Sequence, residues 1–130
     1  MKTKYMKNRD MNSQTYKLRR IVVDLVREAG KLVDNTLPRI EIRIADAHDS
    51  NTLGVGRMGK CIIWISPNAL DKGIDFAREV VFHEILHAVC ATDHDNTCPL
   101  MRTTSDPKAP ISKAAANQAF LKHFINWKFA

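Results

Sequence analysis

The sequence predicts an α+β domain in which one buried helix carries the chemistry. Three observations favour this class: a helical pattern near the start, short strand patterns in the middle, and a long apolar helical run before a closing helix. At 130 residues the chain has room for one hydrophobic core but not for two. The sequence contains no internal repeat and no low-complexity tract.

The first third of the chain predicts a basic arm, a helix and a strand. Residues 1–12 show no apolar pattern, so we expect a disordered arm there and a single domain over residues 13–130. A helix is predicted from Ser13 to about Asn35, because apolar residues recur on one face. Apolar and charged side chains alternate over residues 40–44, which indicates a half-buried strand.

The middle of the chain predicts a loop and a second strand. Three glycines among polar residues mark residues 46–60 as a loop, with a short edge strand near residues 52–56. Residues 61–65 are the strongest strand pattern in the chain. Ser66 and the proline after it then predict a helical turn.

The last half of the chain predicts two helices separated by irregular structure. The run IDFAREVVFHEILHAV, continued to Cys90, is apolar nearly all round and predicts a buried helix over residues 74–90. Residues 93–110 contain three prolines and should be irregular. A final helix is expected from about Ser112, which can cap it. Its apolar stripe consists of Ala116, Phe120, Phe124 and Trp127.

The segment HEILH within the buried helix predicts a metal site. His83 and His87 are four residues apart, so they share one helix face and can bind one metal ion. Glu84 lies beside the pair, where it can reach a metal-bound water. Burying these polar groups is costly unless something satisfies them, and a metal ion does so directly. The alternative is a pair of hydrogen-bonded core histidines.

The third ligand does not follow from this segment. Gluzincins take a glutamate from a later helix, but no glutamate follows Glu84, so that class is excluded. The remaining donors downstream are Asp93, His94, Asp95, Asp106 and His123.

Residues 74–104 resemble the metzincin zinc peptidases, whose signature is HExxHxxGxxH or HExxHxxGxxD followed by a methionine-bearing turn. The resemblance makes His83 and His87 zinc ligands, Glu84 the general base and Asp93 the third ligand. A histidine directly after that aspartate looks most like the snapalysin branch.

The turn also resembles the family. In Cys98-Pro99-Leu100-Met101, Met101 looks like the Met-turn methionine, at the spacing seen in matrixins and archaemetzincins. The resemblance implies a small twisted mixed sheet over the active-site helix, with N- and C-terminal helices around it. No tyrosine follows Met101, although some metzincins use one to steady the oxyanion.

One departure bears on the third ligand. The family's glycine, which turns the chain after the helix, is Cys90 here. If the helix runs one residue longer, His94 reaches the metal in place of Asp93, and the His94-Asp95 pair resembles that of reprolysins with one residue inserted. The sequence leaves both Asp93 and His94 open as the third ligand.

The resemblance implies a small zinc-dependent endopeptidase that hydrolyses peptide bonds through a zinc-bound water, with Glu84 as general base. A peptide or protein substrate is expected to add to the sheet as an extra strand along residues 52–57. Two alternatives stay open. One is a nucleic-acid-associated peptidase similar to the SprT-like proteases, and the other is a catalytically inactive, metal-stabilised binding module.

The charge and the cysteine content restrict the partners and the cellular compartment that we expect. The net charge is +6, and residues 1–43 hold eleven Lys and Arg against five acids. This basic region could attract nucleic acid or an acidic protein, or be only a solvated helix face. Three cysteines without regular spacing favour free thiols in a reducing compartment. With no signal-like or membrane-spanning run, we expect a cytoplasmic protein with no membrane partner, which would suit a phage or mobile-element product.

Overall fold

The computed structural model describes residues 5–130 and shows an α+β fold with three α-helices and a four-stranded mixed sheet. The predicted α+β class is therefore confirmed. No helix in this range is long and apolar enough to cross a membrane. The helices are α1 (Ser13–Leu32), α2 (Ile74–Cys90) and α3 (Lys113–Lys128), and the strands are β1 (Met6–Asn8), β2 (Glu41–Ala47), β3 (Gly54–Arg57) and β4 (Ile62–Ile65).

The sheet has the strand order β1-β2-β4-β3. Strands β2 and β4 run parallel, whereas β1 and β3 are antiparallel to their neighbours. Ile44, Ile63 and Ile65 belong to the main core together with residues of all three helices. The opposite face holds a smaller buried cluster that includes Met6 and Trp64. Strand β3 forms one edge of the sheet and lies beside α2.

Part of the predicted disordered arm is a strand. Residues 6–8 form β1, which pairs with the last three residues of β2, and Met6 is fully buried. The side-chain oxygen of Asn8 accepts a hydrogen bond from the indole N–H of Trp64 at 3.1 Å. The prediction of disorder was wrong here because a three-residue strand is too short to show a period, and because its partner residues are far away in the sequence. Residues 1–4 of the predicted arm lie outside the described range.

Helix α1 begins where the sequence predicts and ends three residues earlier. Asn12 caps it by accepting a hydrogen bond from the backbone N–H of Thr15 at 3.0 Å. The helix stops at Leu32 because Asp34 and Asn35 both adopt a left-handed backbone, with φ of 54° and 59°. Such residues interrupt the helical hydrogen-bond pattern.

Helix α2 has the bounds that the sequence predicts, and it is buried. Of its 17 residues only four are not buried, namely Ile74 and Asp75 at its start and the two motif histidines. The helix is therefore open to its surroundings, beyond its first turn, only at the face that carries His83 and His87.

Helix α3 packs against α2 and is capped as predicted. The hydroxyl of Ser112 accepts a hydrogen bond from the N–H of Ala115 at 3.1 Å. Three of the four predicted stripe residues are buried, but Trp127 stays 43% exposed near the end of the helix. The apolar stripe is consequently shorter than expected.

The three cysteines are free thiols in this structure, as the sequence predicts. Burial raises the pKa of the Cys90 thiol to about 11, and the neighbouring Cys61 adds to the effect. The Cys90 thiol is therefore protonated at neutral pH and a poor nucleophile.

Candidate metal centre

Three imidazole nitrogens converge at the open face of α2. The Nε2 atom of His83 lies 3.0 Å from Nε2 of His87 and 3.2 Å from Nε2 of His94. One donor atom from each of the three histidines lies within 4.8 Å of the others. Two nitrogens bound to one tetrahedral zinc lie about 3.3 Å apart, given zinc–nitrogen bonds of about 2.0–2.1 Å. The spacing of these donors therefore suits a single zinc-sized cation.

The other ring nitrogens fix the orientation of the two helix histidines. Nδ1–H of His83 donates to the carbonyl of Leu100 at 2.8 Å, and Nδ1–H of His87 donates to the carbonyl of Thr92 at 2.6 Å. A carbonyl can only accept, so each ring carries its proton on Nδ1 and a lone pair on Nε2. This arrangement is how proteins orient histidine ligands towards a metal.

Burial also sets the protonation state of these two rings. It lowers the pKa of His83 to about 4, against the opposing effect of the bond to Leu100. It lowers the pKa of His87 as well, again against the effect of its carbonyl partner. Both imidazoles are therefore neutral at pH 7, the form that binds a metal ion.

The third nitrogen of the group belongs to His94, the alternative that the sequence left open, and Asp93 stands outside the group. The reason is the position of the turn. Helix α2 continues through Cys90, and Ala91 is the residue with a left-handed backbone, at φ 52°. The N–H groups of Ala91 and of the residue after it both bond to the carbonyl of Leu86, which closes the helix end. The turn comes one residue later than in the metzincin pattern, so the donor shifts by one residue.

Three of the four remaining candidate donors have other partners. Asp95 accepts hydrogen bonds from the N–H and the hydroxyl of Thr97, and these bonds lower the pKa of Asp95. Asp106 accepts a bond from the N–H of Lys108. His123 lies 3.3 Å from the sulfur of Cys98. Asp93 is exposed and stands outside the group of three.

Glu84 is buried next to the histidines and is not one of the three donors. Its carboxylate accepts a hydrogen bond from the backbone N–H of Gly56 in β3. Burial raises the pKa of Glu84 to about 8, and this hydrogen bond opposes the rise. A carboxyl with a pKa near neutrality can both take up and release a proton at physiological pH.

Two glycines let β3 lie directly on α2. A Cβ atom at Gly56 would stand 2.2 Å from the backbone oxygen of Glu84 and 2.9 Å from Cβ of His87. At Gly54 a Cβ atom would stand 2.9 Å from the carboxylate oxygen Oε2 of Glu84. The sequence predicted a loop with a short edge strand here, and this close contact with α2 was not predicted. The signal was their spacing of two inside a strand, which marks a close backbone approach.

The side chain of Glu84 occupies one backbone donor on the β3 edge that was expected to receive a substrate strand. The N–H of Ser66 donates to the carbonyl of Leu53. The backbone N–H and carbonyl groups of the odd-numbered residues in 53–57 therefore bond to β4. The backbone N–H and carbonyl groups of Gly54 and Gly56 therefore point to the outer edge, where the N–H of Gly56 already donates to the carboxylate of Glu84. A substrate strand added along residues 52–57 would therefore not find the N–H of Gly56 free to donate.

Met101 lies in a tight turn next to the donor group and is fully buried. Its N–H donates to the carbonyl of Cys98 at 3.1 Å, and its carbonyl accepts from the N–H of Asp95 at 2.8 Å. The preceding residue, Leu100, supplies the carbonyl that orients His83. The predicted Met-turn residue is thus part of the segment that supports the first histidine.

The donor set is open on one side. Among residues 5–130, no fourth His, Cys, Asp or Glu joins the group of three, and His94 is exposed. Structural zinc sites close all four positions with protein ligands, whereas catalytic sites use three and leave one for water or substrate. The three donors match the ligand count of catalytic zinc sites and fall one short of that of structural sites.

No protein-family model, curated protein or solved structure matches this chain. Only the residues and geometry of the site itself therefore bear on its function.

Proposed function

We propose that the protein is a zinc-dependent metallopeptidase of metzincin type in which His83, His87 and His94 would hold the metal. The observation that carries the proposal is the convergence of their three Nε2 atoms at the one open face of a buried helix. Neutral imidazoles with oriented lone pairs are the ligands that zinc takes most often in catalytic sites.

The division of roles follows from the positions of the side chains. A bound zinc ion would polarise the scissile carbonyl and acidify a water molecule. Glu84 would take the proton from the attacking water and deliver it to the leaving amine. A cation on the neighbouring histidines would favour the ionised form of this carboxyl, which is the form that acts as a base.

The substitution Glu84→Gln tests this proposal, because it keeps the shape of the side chain and removes the base. We expect the variant to bind one zinc ion per chain, as the wild type does, and to hydrolyse casein or a peptide library at least about 100-fold more slowly. Metal analysis and a fluorescent hydrolysis assay measure the two quantities, and a chelator should abolish wild-type hydrolysis.

Asp93→Asn is the matched control, since it makes the same carboxylate-to-amide change at an exposed neighbour and should retain activity. Zinc-loaded wild type without hydrolysis, or a Glu84→Gln variant that keeps its rate, would refute the assignment. Loss of zinc from Glu84→Gln would show that the carboxylate binds the metal and is not the base.

A second candidate function is a metal-stabilised binding module without catalysis. The specific observation in its favour is the hydrogen bond between Gly56 and Glu84, which gives the carboxylate a structural role in joining β3 to α2. For such a module, zinc should raise the melting temperature of the wild type while no chelator-sensitive hydrolysis is detected. The hydrolysis assay above separates the two functions.

A further inference from the structure

A groove of about 700 Å³ lies on the side of the sheet away from β3. Its walls come from the first half of β2, from the segment that follows β1, and from Lys60 and its neighbours at the start of β4. None of the three histidines of the candidate metal centre lines it. The groove is therefore a separate feature of the surface.

The groove contains a stretch of strand edge that β1 leaves uncovered. Strand β1 pairs only with residues 45–47 of β2, and the last bond runs from the N–H of Arg9 to the carbonyl of Ile44 at 3.2 Å. The N–H of Glu41 donates to Cys61 on the β4 side. Backbone groups alternate between the two edges of a strand, so the N–H and carbonyl of Ile42 point into the groove. No strand of residues 5–130 covers this position.

The groove is strongly basic. Five cationic side chains line it against the single carboxylate of Glu41. Two of the cations are paired, since Arg43 lies 2.6 Å from Glu41 and Arg9 lies 3.6 Å from Asp46. The other three, Arg19, Arg39 and Lys60, form no ion pair within the described part of the chain. Three cations therefore surround the uncovered strand edge without a counter-charge.

We propose that this groove docks an extended acidic segment of a partner protein, which pairs its backbone with β2 and places carboxylates against Arg19, Arg39 and Lys60. The strand edge favours a polypeptide, because a second strand supplies matching donors and acceptors. The lining residues include no aromatic side chain on which a nucleic-acid base could stack. Ile40 and Met11 offer apolar contacts for the side chains between the acidic ones.

A binding titration on the full chain tests this docking site without any use of hydrolysis. The probe is a fluorescein-labelled ten-residue peptide of alternating Glu and Val, and fluorescence anisotropy at low salt measures the affinity. Comparison probes are the same peptide with Lys in place of Glu, and a ten-nucleotide oligothymidine. We expect the acidic peptide to bind best and to lose affinity as salt rises.

The charge-reversal variant Arg19→Glu/Arg39→Glu should weaken binding of the acidic peptide by at least about tenfold. The control Lys31→Glu/Lys108→Glu makes the same change in net charge at exposed positions outside the groove and should change affinity less than about twofold. Equal losses in both variants would overturn the proposal, because net charge alone would then explain the attraction. Circular dichroism melting verifies that both variants are folded.

The strand pairing has its own test. A probe with N-methyl groups on alternate backbone amides keeps every charge but cannot pair along one edge, so it should bind at least about tenfold more weakly. Unchanged affinity would contradict the strand arrangement. The groove would instead be a nucleic-acid site if oligothymidine bound more tightly than the acidic peptide and the Arg19→Glu/Arg39→Glu variant lost that binding. The Glu84→Gln protein should give the same peptide affinities, so these outcomes are independent of the peptidase proposal.

Discussion

Helix α2 and the loop over residues 91–101 both build the candidate metal centre, but different physical rules position their side chains. In the helix, two histidines four residues apart share a face wherever the helix lies, because the geometry of the helix fixes their spacing. In the loop, the donor depends on which residue takes the left-handed conformation. Metal ligands on a helix can therefore be predicted from their spacing in the sequence, whereas a ligand in a loop cannot.

Gly56 is the point at which β3 lies closest to α2, and a substitution there should have a large effect. Replacing it with alanine would put a methyl group 2.2 Å from the backbone oxygen of Glu84, so strand or helix must move. We expect Gly56→Ala to lower the free energy of unfolding by about 3 kcal/mol. Urea denaturation measures the change.

The control for this change is Gly30→Ala in α1, where the nearest atom to the new methyl is 3.7 Å away. It should raise stability by about 0.5–1 kcal/mol, since alanine is the better helix former. If both alanine variants had the same stability, the close approach of β3 to α2 would be wrong.

The buried carboxyl of Glu84 gives a pH test of the same contact. Its pKa is raised from 4.5 to about 8, so the folded protein holds a proton that the unfolded chain releases between these values. The contribution of Glu84 to the stability of the metal-free protein should therefore fall as pH rises from about 4.5 to about 8. His83 and His87, whose pKa values are lowered by burial, contribute a rise with pH below about 6.5. Glu84→Gln removes only the fall, so it should gain stability relative to wild type as pH rises, by a few kcal/mol at pH 8.

Chemical denaturation of both proteins in chelator between pH 5 and pH 9 makes this comparison. Asp93→Asn is again the control, and it should follow the wild-type profile. A stability difference between wild type and Glu84→Gln that stays constant from pH 5 to pH 9 would show that the carboxyl is not buried as described.

Two glycine substitutions test which residue after α2 takes the left-handed conformation. Ala91 has a left-handed backbone that suits glycine, so Ala91→Gly should raise stability by up to about 1 kcal/mol. Cys90 is the last residue of the helix and is buried, so Cys90→Gly should lower stability by about 1 kcal/mol or more. Thermal denaturation measures both. The opposite pattern would place the turn at Cys90, as the metzincin signature has it, and would return Asp93 to the site.

Much of the fold was predictable because long apolar patterns determine it. The bounds of α2 agree with the sequence prediction at both ends, and β4 and the cap of α3 lie where the pattern places them. These elements are held by continuous burial, which leaves a clear signal in the sequence. Strand β1 was not predictable, since three residues in a basic segment are recruited by contacts with β2 that the local sequence does not encode.

The candidate site was predictable in part for a similar reason. His83, Glu84 and His87 follow from helical spacing, and the sequence narrowed the third donor to two neighbours. It could not choose between them, because the choice depends on one extra helical residue and on an alanine in an unusual conformation. The basic groove was foreseen only as a surplus of charge, since its cations come from separate elements that the fold brings together.

The most direct test of the metal centre is the zinc affinity of His94→Ala compared with that of Asp93→Ala. Competition with a chromophoric chelator measures both against wild type. Three histidine ligands predict that His94→Ala weakens zinc binding by at least about 100-fold, whereas Asp93→Ala stays within about threefold of wild type. The reverse order, with zinc lost from Asp93→Ala and retained by His94→Ala, would contradict the centre described above.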